Sequence, residues 1–506
     1  MKHIYFFILL LPSIVISQDV HQIEKHFEGH SKENLGKAIN SKAFEISPAI
    51  CPDGTTLYFS RFDKGTTAFY YSSHSTGAWT KAKPMGTPFS EIQNAVGYNI
   101  SPDGHTILLR GVFKDYQQEA RGYSICEKHG ENWTKPISLN ILNYAQYDKG
   151  THFSAWLGAD ETTIVMEMEP TAGSDNGNIY VSFRETDTNW TEPLNLGPTI
   201  NSDETLSGTP FLAADGKTLY YTTNKYDTYG QNDLFVTHRE DESWTKWTTP
   251  QNLGKVVNSE TNDLYFSLPA SGEYAYLVSP GEFGNHDIFK LKLPQEAKPE
   301  PVELIKGYVK DASTGKPIGT KVTVHNLETD EEIAMAHSDD ITGFYEIILP
   351  KGIKYSFFAE ADGYYATREH LDLTHLDHYE ELQKDLKLDP YLFGEQILLN
   401  NVFFVPTKTV LLPEALPELN DLYDILQQNT KMRIRIEGHT DNQGDKAANL
   451  QLSQSRAERV VEYLVDKGIT SNRLEAKGYG EAHPLNDNST EELRKKNRRV
   501  QFTIIK

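Results

Sequence analysis

Before about residue 300, apolar and polar positions alternate in short runs that are repeatedly broken by turn residues. Five segments share one layout: CPDGTTLYFS (51–60), SPDGHTILLR (101–110), GADETTIVME (158–167), AADGKTLYYT (213–222) and ASGEYAYLVS (270–279). Each opens with a polar turn built on Asp, Gly or both, then alternates aromatic and β-branched residues, which predicts a strand. A second strand follows each: AFYYSS, GYSICE, NIYVSF, DLFVTH and DIFKLK. Four of these lead through a short turn to a tryptophan, at Trp79, Trp133, Trp190 and Trp244, spaced by 54, 57 and 54 residues. A small antiparallel sheet cannot bury both faces alone, whereas sheets stacked around an axis bury them all. The pattern therefore predicts an all-β propeller of five blades. The fifth unit has no tryptophan strand, but ENLGKAINS (33–41) matches the QNLGKVVNS (251–259) that follows Trp244. The N-terminal segment is thus predicted to supply the outer strand of the last blade and close the ring.

Acidic turns of the Pro-Asp-Gly kind could hold a metal, but Asp and Gly in such a turn are accounted for by its geometry, with Asp binding the local backbone. These motifs resemble the WD40-like (PD40) propeller repeats of bacterial envelope proteins, which assigns residues 18–294 to a propeller.

PQEAKPEPVE (294–303), rich in Pro and Glu, marks a boundary, with residues 295–302 read as a linker. Beyond it, short alternating strands with turn signals every 8–12 residues predict a β-sandwich over 303–390. The ordered motifs GYVKDASTGKPI, GFYE, LPKG and GY resemble the carboxypeptidase regulatory-like domain, which implies a spacer or binding module without catalytic residues. His370, His375 and His378 lack the further ligands of a tetrahedral metal set and are read as surface polar residues.

From Leu398 the period changes. Leu416, Leu419, Leu422 and Leu426 recur at helical spacing, MRIRIEG alternates as a strand, and Ala457, Val460, Val461, Leu464 and Val465 mark a second helix ending at Gly468. Then come RLEAKGYGE, a short charged helix and a last strand, NRRVQFTII. Residues 395–506 are thus predicted to be an α/β domain, which makes the chain multidomain: all-β propeller, β-sandwich, then α/β. Between the strand and the second helix lies EGHTDNQGDKAANLQLSQSRAERV (437–460), with Asp441 opening a polar loop and Arg456 fifteen positions later on the helix. On spacing alone, a structural ion pair accounts for the two.

In order over nearly the whole segment stand G-H-T-D-N, L-S-x-x-R-A-x-x-V, Y-L, G-I, R-L, G-Y-G-E and N-R-R-V. This resembles the C-terminal domain of the OmpA family, shared by peptidoglycan-associated lipoproteins and MotB-like proteins. The resemblance implies peptidoglycan binding at the diaminopimelate side chain by Asp441 and Arg456, with Thr440, Asn442, Asn497 and Arg498 as further contacts. Diaminopimelate ends in an ammonium and a carboxylate on one carbon, so a carboxylate and a guanidinium side by side fit it. Many members carry F-D-F-D-K after the first strand. Here FFVPTKT places Pro406 and Thr407 there, without the second acid.

The ends and the charge complete the picture. Lys2 and His3, an apolar run from Ile4 to Ile16 and Ser17 before Gln18 read as a signal peptide over 1–17, too short to span a bilayer. No later run reaches a membrane-spanning length. The net charge is −22, yet residues 395–506 hold 16 basic and 16 acidic residues, so the excess acid lies before them. An acidic surface repels nucleic acid and anionic lipid, which excludes both as partners. Cys51 and Cys126 are expected to be unbonded thiols, lying at inner and outer positions of different blades. No G-x-S-x-G or H-E-x-x-H motif is present, against a propeller-associated hydrolase. The expectation is a non-enzymatic periplasmic anchor associated with the outer membrane and cell wall. It needs no cofactor or metal, and its propeller recruits an unidentified envelope protein. A subunit of a secretion or transport machine, with wall binding secondary, is the alternative.

Overall fold

The repeated turns fold alike because their aspartates do the same job. In a computed structural model, Oδ1 of Asp53, Asp103, Asp160 and Asp215 accepts the backbone N–H two residues on, at 2.9, 2.8, 2.9 and 2.9 Å. The residue after each Asp takes a left-handed conformation, which Gly54, Gly104 and Gly216 adopt without strain and Glu161 adopts in the third repeat (φ 56°). The turns are therefore architectural, as their composition predicts. The structure describes residues 20–506 except 76, 93–95, 152–153, 175, 284–285, 330, 376–377, 392, 395, 400–403, 405–407 and 413–414. The predicted signal peptide, Pro406 and Thr407 lie outside the described residues.

The chain divides into two compact units. One runs to Leu304 and includes Ile348–Lys351 and Leu376–Glu380; the other holds the remainder. Among the described residues of the first unit, the turns join antiparallel strands into five sheets, beside a two-stranded parallel pair of Asn140–Ile141 with Asn189–Trp190. The leading strands of the five sheets are Phe44–Ile50, Gly97–Ile100, Ala155–Leu157, Ser207–Leu212 and Leu264–Ser267. The second strands are Thr56–Asp63, Thr106–Lys114, Thr163–Met168, Thr218–Thr223 and Tyr274–Ser279. The third are Thr66–Ser75, Gln117–His129, Asn178–Phe183, Asp233–His238 and Asp287–Lys292. Outer strands are only two residues long, which leaves little exposed edge. The outer strand of the fifth sheet is Glu33–Asn34, paired antiparallel with Lys290 and Phe289.

A Gly-x-x-x-Asn loop fixes each of these late outer strands. Asn201 accepts the Ile179 N–H and donates to its carbonyl, at 2.8 and 2.7 Å; Asn258 does the same to Leu234, at 2.9 and 3.1 Å. Asn40, from the N-terminal segment, clamps Ile288 of the fifth sheet at 2.9 and 3.0 Å. The likeness of ENLGKAINS to QNLGKVVNS thus carries one geometry. Apolar side chains fill the space between successive sheets. Phe69 packs with Ile107 and Leu109, Leu108 with Ile164, Val181 with Leu219, and Tyr220 with Leu277. Leu57 and Phe59 of the first sheet share a cluster with Val278 and Ile288 of the fifth.

One expectation is corrected. The fourth tryptophan in register is Trp247 rather than Trp244. Trp133, Trp190 and Trp247 pair with Lys128, Arg184 and Arg239, and each following Thr N–H binds back to the third strand. The fourth repeat has a longer turn, which leaves Trp244 inside it at φ 61°. Cys51 and Cys126 form no disulfide, as expected: Cys51 lies in the turn after the leading strand of the first sheet and Cys126 on the third strand of the second, and both pack at one apolar cluster. Burial pushes the Cys126 thiol up to about 12. Residues 295–302, read as linker, are ordered by packing: Ala297 is buried, its carbonyl accepts the Tyr220 hydroxyl (2.5 Å), and Glu300 N–H binds Asp215 (2.9 Å).

Downstream, the described residues form two further four-stranded sheets. One has Val302–Asp311 between Phe344–Pro350 and Glu380–Gln383, with Leu386–Leu388 also paired to it. The other orders Glu332–His337, Lys321–Asn326, Lys354–Ala359 and Thr367–Asp372. His370, His375 and His378 are exposed, and His378 pairs with Glu380 (2.9 Å).

The α/β part orders its sheet Gln396–Leu399, Val500–Ile505, Arg433–His439, Leu474–Gly480, with the last pair parallel. Helices α1 (Leu416–Gln428) and α2 (Lys446–Asp466) share the core through Leu419, Leu422, Leu426, Ala457, Val460 and Leu464; a short α3 covers Glu491–Asn497. The loop after the Lys354–Ala359 strand meets the α/β part at the foot of the Arg433–His439 strand. There Glu360 accepts the Thr430 hydroxyl (2.5 Å) and the Lys431 N–H (2.8 Å), and Asn429 accepts the Ala366 N–H (2.7 Å). Among the described residues no helix is long and apolar enough to cross a membrane, which leaves strands out of account.

Candidate functional site

The site lies at the other end of that strand, where the sheet gives way to α2. Two glycines let the helix approach. A Cβ on Gly438 would stand 2.2 Å from the Ser453 carbonyl oxygen, and one on Gly478 would stand 2.3 Å from the Gln454 nitrogen. The G-H-T-D and G-Y-G-E motifs therefore bring α2 against the strand ends. Thr440 N–H binds the Gly480 carbonyl (2.9 Å), and Gly480 N–H binds the Ser453 hydroxyl (2.8 Å).

Gly444, at φ 96°, turns the loop, and Asp445 caps α2 by accepting the Ala448 N–H (2.9 Å). Asn449 donates from the helix to the Gln443 carbonyl (3.0 Å). Asp441, 7% exposed, is held in this frame: Oδ1 accepts the Gln443 N–H (3.0 Å) and Oδ2 accepts Nη1 of Arg498 (2.5 Å).

The partner of the Asp441 carboxylate is thus Arg498 rather than Arg456. Arg456, on α2, donates Nε to the Lys408 carbonyl (3.2 Å) and lies over the Phe404 ring at 5.0 Å. Among the described residues no carboxylate stands within ion-pair distance of it. Burial lowers its pKa, the positive Arg498 lowers it further and the negative Asp441 opposes both, so the three charges share one neighbourhood. Asp441 thus meets the Arg498 guanidinium directly and acts on that of Arg456 through its charge, so the neighbourhood offers groups for both an anion and a cation.

The other predicted contacts divide. Thr440 is buried, and its hydroxyl has no hydrogen-bond partner among the described residues. Asn442 is exposed and accepts the Gln443 side-chain amide (2.9 Å). Asn497 is fully buried, with its amide committed. It accepts the Leu485 and Asn486 N–H groups (2.7 and 3.0 Å) and donates to the Asn486 carbonyl and Asn488 Oδ1 (2.9 and 2.8 Å). The expectation of Asn497 as a ligand contact is therefore corrected: it braces the loop that precedes α3. Arg499, beside Arg498, turns the other way, to Gln501 (2.9 Å) and the His483 carbonyl (3.1 Å).

Sequence reasoning passed over His439 and Glu491. His439 is 3% exposed and stacks on Tyr479 (5.4 Å between centroids), and neither ring nitrogen has a hydrogen-bond partner among the described residues. Burial, then the charges of Arg499 and His483, push its pKa down to about 3, so the ring is neutral. Glu491 accepts Nη2 of Arg498 (2.6 Å) and Nε of Arg494 (3.0 Å), and these contacts hold its carboxyl below the usual range. The i, i+3 spacing of Glu491 and Arg494 is readable in the sequence; the reach to Arg498 is not.

The strand, polar loop and helix that carry Asp441 and Arg456 lie in the part of the chain that is similar to the OmpA family. Residues 403–498 match the model of the OmpA family. Over 97 residues the chain is 40% identical to an outer membrane porin F from Pseudomonas fluorescens, a span of 19% of this chain and 30% of that protein. It is 34% identical over 114 residues to the probable lipoprotein YiaD of Escherichia coli (strain K12), 22% of this chain and 52% of that protein. It is 37% identical over 94 residues to the peptidoglycan-binding protein ArfA of Mycobacterium bovis, 19% of this chain and 29% of that protein. The chain thus covers about half or less of each of these relatives.

Proposed function

We propose that this protein is a non-enzymatic anchor of the bacterial envelope that grips peptidoglycan through its C-terminal domain. Asp441 receives the distal ammonium of diaminopimelate, Arg456 and Arg498 receive the carboxylate on the same carbon, and Thr440 and Asn442 line the rim. The observation that carries this reading is the placement of Asp441, Arg456 and Arg498 around one loop-to-helix turn in an OmpA-family domain. A relative named for peptidoglycan binding supports it.

The five sheets are read as the blades of a closed propeller. The apolar cluster joining the first sheet to the fifth and the Asn40 clamp support closure. In this reading the propeller recruits a second envelope protein, the sandwich is the spacer, and the compartment is the periplasm, at the outer membrane and cell wall.

Cosedimentation of the full chain with purified peptidoglycan tests the proposal. Binding to diaminopimelate-type sacculi is expected, with weak or no binding to lysine-type sacculi, whose side chain lacks the distal carboxylate. Equal binding to both, or to neither, would overturn the ligand assignment.

A further inference from the structure

Asp441 does not have Arg498 to itself. Arg498 reaches Asp441 Oδ2 through Nη1 (2.5 Å) and Glu491 Oε1 through Nη2 (2.6 Å), while Glu491 Oε2 accepts Nε of Arg494 (3.0 Å). Arg494 is itself tied to the Asn488 carbonyl (3.0 Å), in the loop braced by the buried Asn497. A row of alternating charge, Asp441–Arg498–Glu491–Arg494, therefore runs from the candidate site onto α3.

We propose that Glu491 is a positioning residue that keeps Asp441 able to receive an ammonium group. This deepens, and rests on, the reading of Asp441 as the ammonium partner of diaminopimelate. A guanidinium beside a single carboxylate favours two parallel hydrogen bonds to it. By holding one terminal nitrogen of Arg498, Glu491 limits that arginine to one bond with Asp441. Its negative charge also offsets Arg498, so that Arg456 and Arg498 do not together outweigh Asp441. With Glu491 neutral, two guanidiniums face one carboxylate. The site then keeps its attraction for a carboxylate and loses part of its attraction for an ammonium. Glu491 thereby sets selectivity for a carbon that bears both groups over one that bears the carboxylate alone.

The test is calorimetric titration of the full chain with two synthetic stem peptides. One ends in diaminopimelate and the other in aminopimelate, which keeps the distal carboxylate and lacks the distal ammonium. Glu491→Gln is expected to weaken binding of the diaminopimelate peptide by about fivefold, the order of one partly exposed ionic contact, without weakening binding of the aminopimelate peptide. Glu491→Asp keeps the charge and is expected to retain most of the wild-type preference. An equal loss for both peptides, as a merely structural role would give, or no loss for either, overturns the proposal. Asp441→Ala separates the two levels. If it abolishes binding while Glu491→Gln binds like wild type, only the role of Glu491 fails. If Asp441→Ala binds normally, or the wild type binds neither peptide, the ligand reading fails and takes this proposal with it.

Discussion

Two kinds of polar, glycine-containing loop occur in this molecule, and they use buried polar side chains in opposite ways. In the Gly-x-x-x-Asn loops, Asn40, Asn201 and Asn258 give both amide atoms to the backbone of a neighbouring strand. Those bonds are neutral and repeated, and they fix where an outer strand lies. In the 440–445 loop, Asp441 faces a guanidinium, Arg456 rests on a carbonyl and a ring, and the Thr440 hydroxyl has no described partner. Charges set against one another can exchange partners when a zwitterionic ligand arrives, whereas an asparagine committed to backbone cannot. A polar loop is thus a candidate site by what its groups leave available, and merely being polar and buried does not distinguish it.

Removing the N-terminal segment should have the largest effect. Deleting residues 20–40 takes away the fully buried Phe27 and Ile39, the Glu33–Asn34 strand and the Asn40 clamp together. The first unit is expected to lose its cooperative thermal transition or to aggregate through the exposed edge. An unchanged melt would show that the segment does not complete the fifth sheet.

Next comes the close approach under the site. Gly438→Ala sets a Cβ against the Ser453 backbone and is expected to destabilise the C-terminal domain by about 3 kcal/mol. Gly444→Ala meets only ordinary contacts and carries mainly the strain of its positive φ, about 1 kcal/mol. Denaturant melts of both variants would check the ranking.

The loop comparison itself is sharpened by asparagines. Asn258→Ala leaves the Leu234 N–H unpaired in a buried place, while the Leu234 carbonyl keeps the Leu253 N–H, and is expected to cost about 2 kcal/mol. Asn442→Ala, on the exposed part of the candidate site, is expected to change stability by less than about 0.5 kcal/mol. Equal costs would break the distinction between architectural and available groups.

A graded effect belongs to His439. Its folded pKa is pushed down to about 3, below the ordinary histidine value near 6.5, so between these values the unfolded chain binds the proton more readily. Its contribution to stability is therefore complete above about pH 6.5 and falls away as the pH drops towards 3. From pH 6 to pH 4 the wild type is expected to lose up to about 1.4 kcal/mol per pH unit more than His439→Phe. Parallel pH profiles for the two proteins would contradict the neutral, buried ring.

Much of this was legible in the chain because it is local. An Asp that binds an N–H two residues on needs only its own turn, so the repeats and their strands read directly. The likeness of 33–41 to 251–259 carried the longest-range pairing of the first unit, since a repeat unit implies its neighbour. Tryptophan spacing misled at Trp244 because the length of one turn, which the period does not report, sets the register. At the site, Asp441 and Arg456 are readable from their motif, but the pairing of Asp441 with Arg498 crosses 57 positions. Asn497 and Arg498 are adjacent and polar; only the packing of the 485–488 loop shows that one is committed and the other faces the site. His439 gives no signal, because its burial depends on Tyr479 and His483 from another strand and its following loop.

The central claim is that Asp441 and Arg456 bind peptidoglycan, and cosedimentation of full-chain Asp441→Ala and Arg456→Ala with diaminopimelate-type peptidoglycan tests it most directly. Losing one partner of a largely desolvated charged contact costs about 2–5 kcal/mol, so each variant is predicted to bind more than tenfold more weakly while melting like the wild type. If both variants sediment as the wild type does, the account of this site is wrong.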